Sequence, residues 1–274
     1  MHPAPLYVVS TPVGNLGDIT LRALETLRAV SVVLAEDTRH TRHLLDHYGI
    51  TTPMEAYHEH NEARLTPLLT GRLSTGEPLA LVSDAGTPLL SDPGARLVRA
   101  AVAAGIPVVP VPGASALLSA LVASGLAADR FTFYGFLPRR SNERRQAVAD
   151  IAAHGLTSVL YEAPARVAET LAELAGAGAE DRQAVVAREL TKHFEEFRRG
   201  TVAELAQYYG GSAPRGEVVL LIAGARPTRL DEAALRERAR ALRSAGATVR
   251  DVVRTLVEES GAPRNLAYRL AQDV

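Results

Sequence analysis

The chain of 274 residues has no cysteine and no tryptophan, and only 5% of its residues are aromatic. Without cysteine it can form neither a disulfide framework nor a thiolate metal site, which fits a reducing compartment. Lys192 is the only lysine, so arginine supplies almost all of the positive charge. The formal net charge is −1. A nucleic-acid partner would therefore have to meet a local basic patch and not a polycationic surface.

Three common catalytic motifs are also missing. No G-x-G-x-x-G follows a predicted strand, and neither G-x-x-x-x-G-K-[ST] nor G-x-S-x-G occurs. The usual dinucleotide fold, the P-loop and the nucleophile elbow are therefore unsupported. His58, His60 and Glu62 would share one face of an extended segment and suit a metal. The zincin spacing needs a histidine where Glu62 stands, so a polar surface or substrate-contacting loop is preferred and no metal is expected.

A long uncharged stretch at 100–128 raises the question of a membrane span. Pro107, Pro110 and Pro112 would interrupt a helix, so we predict a short buried strand, a turn, and a buried helix from near Ala114. The start of the chain, MHPAPLYVVS, lacks the basic residues and the long apolar run of a signal peptide. We therefore expect no membrane association and a cytoplasmic protein.

Apolar runs alternate with helical segments along the first part of the chain. The predicted strands are 6–10, 30–37, 79–83 and 106–111. Helices are expected from a Thr20 cap through Leu27, and over Thr41 to His47. This alternation is typical of a parallel, doubly wound sheet, which we assign to a first domain at 1–112.

A second α/β domain is predicted at 113–226. Its expected strands are 131–138, 157–163, 184–190 and 217–224, with a helix between Arg166 and Ala175 and some antiparallel pairing. Charged amphipathic helices make up a tail at 227–274. The predicted fold class is thus α/β, with two α/β domains and a C-terminal helical appendage.

The segment 79–94, LALVSDAGTPLLSDPG, is the best candidate for a ligand site. It carries an uncharged strand directly into a turn rich in Asp, Gly and Pro. In open α/β sheets, ligands bind beyond the carboxyl ends of the strands. Gly86 and Gly94 would let the main chain approach a ligand closely. An ordinary strand-to-helix connection is the alternative interpretation.

Eight segments occur in unbroken order between residue 6 and about residue 224. They are STPVGNLGDIT, AEDTRHTRHLL, HEHNE, LVSDAGTPLLSDPG, VPGASALLSALVASGL, FYGFLPR, YEAPARV and ARELTKHFEE. Together they resemble the tetrapyrrole methylase superfamily, and within it the branch of 16S ribosomal RNA cytidine 2'-O-methyltransferases. The resemblance implies two domains of tetrapyrrole-methylase type, S-adenosylmethionine bound in the cleft between them, and a homodimer.

The resemblance also implies site residues. The positions that match the cofactor contacts are Asp84, Ala85, Gly86, Thr87, Pro88, Ala114, Ser115, Tyr161, Glu162, Ala187, Arg188, Gly216 and Glu217. Pro12, Gly14 and Asn15 match the first loop, which we interpret as a substrate-side wall. For each of these positions a purely structural turn is the alternative.

Methyl transfer to a ribose hydroxyl would benefit from a base or an electrostatic stabiliser. The most polar segment, AEDTRHTRH, offers Glu36 and Asp37 for the proton and Arg39 and Arg42 for phosphates. A capped helix start with solvated charges is the alternative. Further candidate substrate contacts are His60, Asn61 and Lys192. The sequence does not choose the base.

A second group of arginines lies in PRRSNERR, next to an aromatic run at 131–136. Arg139, Arg140, Arg144 and Arg145 would suit an RNA backbone if this segment is a loop near the cleft. A solvated interdomain linker explains them almost as well.

Three classes of function remain. An RNA methyltransferase accounts for the motifs and the arginines together, with 16S ribosomal RNA or the assembled small ribosomal subunit as partner. A methylase of a tetrapyrrole, a corrin or another small substrate would share the cleft without needing PRRSNERR or the tail. A non-enzymatic RNA-binding protein would leave the glycine and proline loops without a role.

Overall fold

The computed structural model describes residues 2–139, 142–225 and 231–274. Arg140, one of the predicted RNA contacts, lies outside the described residues, as does the start of the predicted tail at Pro227. The chain divides into two compact units, one made of 1–152 and 157–223 and the other of 153–156 and 224–274. Both sheets lie in the first unit, so the division of the α/β part at residue 112 stays a prediction.

The first sheet has five parallel strands in the order β3-β2-β4-β1-β5. Its elements are β1 (Leu6–Val9), α1 (Leu21–Ala29), β2 (Val32–Ala35), α2 (Thr38–His47), β3 (Met54–Ala56), α3 (Glu62–Ser74), β4 (Leu79–Leu81), α4 (Ala95–Ala103) and β5 (Val108–Val111). The predicted parallel, doubly wound arrangement is confirmed. β3 and α3 were not predicted.

Helices cover both faces of this sheet, so its central strands are buried on both sides. Leu34 packs with Leu69 and Leu97 in one core cluster, whereas Val33 packs with Leu27 in another. Successive residues of β2 therefore enter different cores, as the alternation along a strand requires. The predicted cap of α1 is confirmed, because the Thr20 hydroxyl accepts the Ala23 N–H at 3.1 Å.

The second sheet is mixed, in the order β6-β7-β10-β8-β9, with β6 and β7 parallel and the other pairs antiparallel. Its elements are α5 (Ala116–Ser124), β6 (Phe131–Phe136), α6 (Asn142–Ala153), β7 (Thr157–Glu162), α7 (Val167–Leu174), β8 (Gln183–Arg188), β9 (Glu196–Thr201), α8 (Val202–Gly210) and β10 (Val218–Ile222). The predicted antiparallel pairing is confirmed. β9, α6 and α8 were not predicted.

The helix α5 belongs with this second sheet. Leu117 and Leu121 of α5 pack in one cluster with Val185 of β8 and Val219 of β10. The helix begins at Ala116 with Ser115 as its cap, two residues after the predicted start. The turn before it, at 112–115, therefore links the first sheet to the helix of the second.

The second compact unit is helical. It contains α9 (Glu232–Ser244), α10 (Val249–Ser260) and α11 (Arg264–Gln272), which confirms the three amphipathic helices. Leu235, Val252, Leu256 and Leu270 are almost fully buried and form their shared core. Over the described ranges of the chain, no helix is both long and apolar enough to cross a bilayer.

Candidate functional site

A cleft of about 330 Å³ lies where the loops after the strands of the first sheet meet loops of the second. Its walls are Val13, Ala85, Gly86, Thr87, Leu90, Ser91, Asp92, Ala116, Phe136, Tyr161, Glu162, Ala163, Pro164, Leu190, Gly216, Glu217, Val218 and Val219. This volume falls within the range of small-molecule sites. The predicted ligand segment after β4 forms one wall.

The loop after β4 is fixed by the loop after β1. Thr11 and Gly86 exchange backbone hydrogen bonds of 2.9 and 3.0 Å, and the Thr11 hydroxyl donates to the Ser83 carbonyl at 3.1 Å. Gly86 has φ +78°, and a Cβ there would lie 3.2 Å from Val13. Only glycine takes this conformation without strain. The main chain of this loop is thereby fixed along the wall of the cleft.

The opposite wall is largely aromatic and apolar. Tyr161 meets Phe133 and Phe136 edge-on or tilted, with ring centroids 5.0 and 5.6 Å away. Burial raises the pKa of Tyr161. Phe136 is 57% exposed, so its ring is free to cover a bound group. Leu90 adds aliphatic surface from the first half.

Three carboxylates gather at the strand ends of the first half. Burial, then Glu36 and Asp84, raise the pKa of Asp92 to about 6. Burial and then Asp84 also raise the pKa of Glu36. The Asp84 carboxylate accepts the Asp37 N–H at 3.0 Å, which ties the ends of β2 and β4 together. Of these carboxylates Asp92 lines the cleft, and its raised pKa means that it keeps its proton to a higher pH than an ordinary aspartate does.

Asp37 and Arg39 have a different role from Glu36. The Asp37 carboxylate caps α2 by accepting the Arg39 N–H at 2.8 Å, and it pairs with the Arg39 guanidinium at 2.7 Å. These bonds hold the pKa of Asp37 well below its usual range. The cap also starts α2 at Thr38, three residues before the predicted start. Asp37 and Arg39 thus form a capped helix start, as the alternative interpretation describes. Arg42 is exposed, and its guanidinium lies 3.8 Å from the Asp46 carboxylate.

The first loop is shaped by local bonds and by a neighbouring loop. Asn15 accepts the Gly17 N–H at 3.0 Å and so caps a short turn. A Cβ at Gly14 would come within 2.5 Å of the Lys192 side chain, so Gly14 is needed for this approach. Pro12 is half-buried next to Val13, which lines the cleft.

Lys192 is held by two carboxylates. Its Nζ donates to Glu189 at 3.0 Å and to Glu217 at 2.9 Å. Although burial lowers it, these two ion pairs raise the pKa of Lys192 overall. A Cβ at Gly216 would overlap the Glu189 carboxylate, which explains the glycine there. Lys192 therefore fixes the loop that carries Glu217 to the cleft.

His60 and Asn61 lie in the turn before α3. Asn61 accepts the His58 N–H at 2.9 Å and donates to the Ala56 carbonyl at 3.0 Å, so its amide braces the turn. His60 is exposed. Among the residues that the structure describes, no group of three or more His, Asp and Glu side chains could hold a metal ion.

The arginine segment requires a correction. Asn142 begins α6, so Arg144 and Arg145 lie on a helix and not in a loop. Arg144 is only 4% exposed, pairs with Glu173 at 2.7 Å and donates to the Thr170 hydroxyl at 2.9 Å. It cannot reach RNA, because its donors are used inside the protein. Arg139 and Arg145 are exposed.

The predicted cofactor residues fall into two groups. Those that line the cleft are Ala85, Gly86, Thr87, Tyr161, Glu162, Gly216 and Glu217. Those that do not are Asp84, Pro88, Ala114, Ser115, Ala187 and Arg188. Among the lining residues that were not named as site residues, Val218 and Val219 lie within a predicted strand, Leu190 ends one and Pro164 follows one. Adjacency to a strand end was the available signal.

Four of these side chains have structural roles. The buried Glu162 carboxylate accepts Arg166 Nε and the Thr170 hydroxyl, each at 2.7 Å, so protein donors occupy it. Ser115 caps α5, and the Thr87 hydroxyl bonds the Ala114 carbonyl at 3.2 Å. Arg188 lines a different groove, where it pairs with Glu196.

The site lies in a cleft between two α/β halves, at the ends of their strands. Comparison with known proteins identifies the class of protein that has this arrangement. The model of the tetrapyrrole (corrin/porphyrin) methylases matches residues 5–206. Among solved structures, a cobalt precorrin-4 methyltransferase superposes with a TM-score of 0.60 and 21% identity, over 80% of this chain and 94% of that one. The uroporphyrin-III C-methyltransferase of Thermus thermophilus in complex with S-adenosyl homocysteine superposes with a TM-score of 0.58 and 20% sequence identity. The match covers 80% of this chain and 97% of that one.

Curated relatives are much more similar in sequence. The ribosomal RNA small subunit methyltransferase I of Synechocystis is 47% identical over 98% of both chains. The protein of the same name from Pseudomonas aeruginosa is 45% identical, over 99% of this chain and 98% of its own. The one from Escherichia coli O157:H7 is 43% identical, over 97% of this chain and 94% of its own. The chain therefore belongs to the tetrapyrrole methylase family, and within it to the group of relatives that carry this name.

Proposed function

We propose that the chain is an S-adenosylmethionine-dependent methyltransferase that methylates the ribose 2'-hydroxyl of a cytidine in 16S ribosomal RNA. The observation that carries this proposal is the 43–47% identity, over nearly the whole chain, to ribosomal RNA small subunit methyltransferase I proteins. The more distant solved structures share only the fold. The cleft supports the proposal independently through its shape and charge.

The residues of the cleft fit S-adenosylmethionine. The loop of Ala85, Gly86 and Thr87 forms one wall, and Tyr161 and Leu90 provide apolar surface for a flat ring. Asp92 and Glu36 place negative charge near the cleft, which suits a sulfonium cation. When bound, this cofactor supplies an electrophilic methyl group with its own leaving group.

Within the predicted catalytic set, Glu36 is the better proton acceptor. Its raised pKa makes its carboxylate more basic than an ordinary one, whereas Asp37 is committed to its cap and to Arg39. Arg39 is 88% exposed at the start of α2, so its guanidinium can also reach an RNA phosphate. We assign Glu36 to the hydroxyl proton and Arg39 and Arg42 to the RNA backbone.

The remaining partner proposals concern surfaces outside the cleft. The exposed Arg139 and Arg145 are proposed RNA contacts, and the substrate is free 16S RNA or the assembled small subunit. A homodimer is proposed because Leu118 and Val122 of α5 are 50% and 77% exposed. Light scattering at several concentrations measures that state. A ribosomal substrate implies a cytoplasmic enzyme.

The deciding experiment is nucleoside mass spectrometry of 16S RNA from a strain that lacks the gene. One 2'-O-methylcytidine should be absent and should return with the wild-type gene. Glu36→Gln should fail to restore it, while Glu25→Gln, which removes an exposed carboxylate of α1, should restore it fully. Purified enzyme given naked RNA or assembled subunits then identifies the substrate. Loss of a base methyl group, or of a methylated corrin, would refute the proposal.

A further inference from the structure

A second groove lies in the α/β unit, with a volume of about 400 Å³. We call it the β9–α8 groove, and it is lined by Arg188, Glu196, Tyr208, Tyr209 and residues 211–215. It shares no lining residue with the cleft. The chain that leaves it at Arg215 enters the cleft at Gly216 and Glu217, so the two sites adjoin along the chain.

The groove has a surplus of positive charge. Arg188 and Arg198 both pair with Glu196, at 2.7 and 2.8 Å. Arg215 is exposed and has no ion pair among the described residues. Arg188 and Arg215 thus line the groove together with one carboxylate, Glu196, which Arg198 also pairs with. An anionic ligand is favoured because arginine is a preferred partner of phosphate.

The hydroxyl of Tyr209 is buried without a partner. Tyr209 is only 4% exposed, and its Oη has no hydrogen-bond partner in the described structure. Burial and then Glu196 raise the pKa of Tyr209, and Arg198 lowers it, which places the hydroxyl among the charged groups of the groove. Arg198 Nε is likewise enclosed without an acceptor. Such donors destabilise a protein unless a ligand accepts from them.

Tyr208 adds an aromatic surface to the same groove. Its side chain is 53% exposed, and the Arg198 guanidinium lies 3.9 Å from its ring centroid. Exposed tyrosine rings beside arginine are typical platforms on which unpaired bases stack. A simple oxyanion would use the donors alone, whereas a nucleotide would use both the donors and the ring.

We propose that the β9–α8 groove binds an unpaired nucleotide of the RNA substrate, outside the methylated one. The phosphate accepts from the Tyr209 hydroxyl and the guanidinium groups, and the base stacks on Tyr208. This inference rests on the proposed function, because it takes RNA as the ligand. It adds a positioning site that holds the strand beside the cleft.

The test measures affinity for a labelled unpaired RNA of about 12 nucleotides. Tyr208→Leu should weaken binding by about 5-fold to 150-fold through lost stacking. Arg215→Gln should reduce the slope of log K against log salt by about 0.7. Arg99→Gln, which removes an exposed arginine of α4, is the matched control and should leave RNA affinity unchanged apart from weak screening.

Tyr209→Phe separates a ligand-binding role from a structural one. Removing an unpartnered buried hydroxyl should raise the thermal midpoint of the free protein, while RNA affinity should fall about tenfold. S-adenosylmethionine affinity, measured by calorimetry, should not change. A lower midpoint with unchanged RNA affinity would overturn the inference. If all groove variants bind RNA as tightly as the wild type does, and the wild-type enzyme methylates its substrate, the groove does not bind RNA but the proposed function stands. If the wild-type enzyme methylates no RNA, both the proposed function and the inference about the groove are refuted.

Discussion

The carboxylate Asp92 should make the protein less stable as the pH rises. Its folded pKa is raised from 3.8 to about 6 by burial and by the neighbouring Glu36 and Asp84. Between these two values the folded chain keeps a proton that the unfolded chain has lost. The contribution of Asp92 to the free energy of unfolding is therefore most favourable below about pH 4 and falls as the pH rises towards 6.

The magnitude follows from the size of the shift. Slightly more than two pKa units correspond to about 3 kcal/mol if the whole shift is realised. Because the cleft is open to solvent, which screens the repulsion, we expect roughly 2 kcal/mol. Asp92→Asn keeps the shape of the side chain and removes its charge. The variant should therefore be more stable than the wild type by roughly 2 kcal/mol above pH 7.

The assay is urea unfolding followed by far-UV circular dichroism between pH 4 and pH 8. The difference in unfolding free energy between Asp92→Asn and the wild type should grow between pH 4 and 6 and then stay constant. Asp129→Asn, which removes an exposed carboxylate, is the control. A difference that is independent of pH, or that shrinks as the pH rises, would show that Asp92 is not destabilised by its neighbours.

Two further predictions follow from the loop after β4 and from α6. Gly86→Val should abolish S-adenosylmethionine binding in calorimetry, because φ is +78° and the new side chain meets Val13. Gly71→Val, in open space on α3, is the control. Full binding by a folded Gly86→Val variant would show that this loop is not part of the cofactor site. Arg144→Met should lower the free energy of unfolding, measured in urea, by about 2 kcal/mol. The double variant Arg139→Gln, Arg145→Gln should leave that free energy unchanged and reduce the slope of log K for RNA binding against log salt by about 1.4. The reverse pattern would show that Arg144 contacts RNA.

The interior strands could be predicted from the sequence, and so could the edge strands β5 and β6, but the edge strands β3 and β9 could not. β1, β2, β4 and β10 are apolar runs because they are buried on both faces. β3 and β9 lie at the edges of their sheets, and neither contains a fully buried residue. An edge strand such as EFRRGT shows no apolar run, so hydrophobic patterning has nothing to detect.

The helices that were missed have local features that hide them. α3 contains Pro67 and Gly71, both of which usually argue against a helix interior. Tertiary packing of Leu69 and Leu73 in the core of the first sheet stabilises it nonetheless. α2 begins three residues before its predicted start because the Asp37 carboxylate caps it.

Turn motifs and strand motifs each supplied some residues that line the cleft and some that do not. Gly86 and Thr87 line it but Pro88 does not, and Tyr161 and Glu162 line it but Ala187 and Arg188 do not. Side chains alternate along a strand, so Ala187 and Arg188 of β8 point to opposite faces of the sheet. Ala187 packs in the core beside α5, and Arg188 enters the β9–α8 groove. On α6 the spacing of Arg144, Val148 and Ile151 matches one buried helical face. That spacing places Arg144 on the buried face of α6 and leaves the next residue, Arg145, exposed and available to RNA.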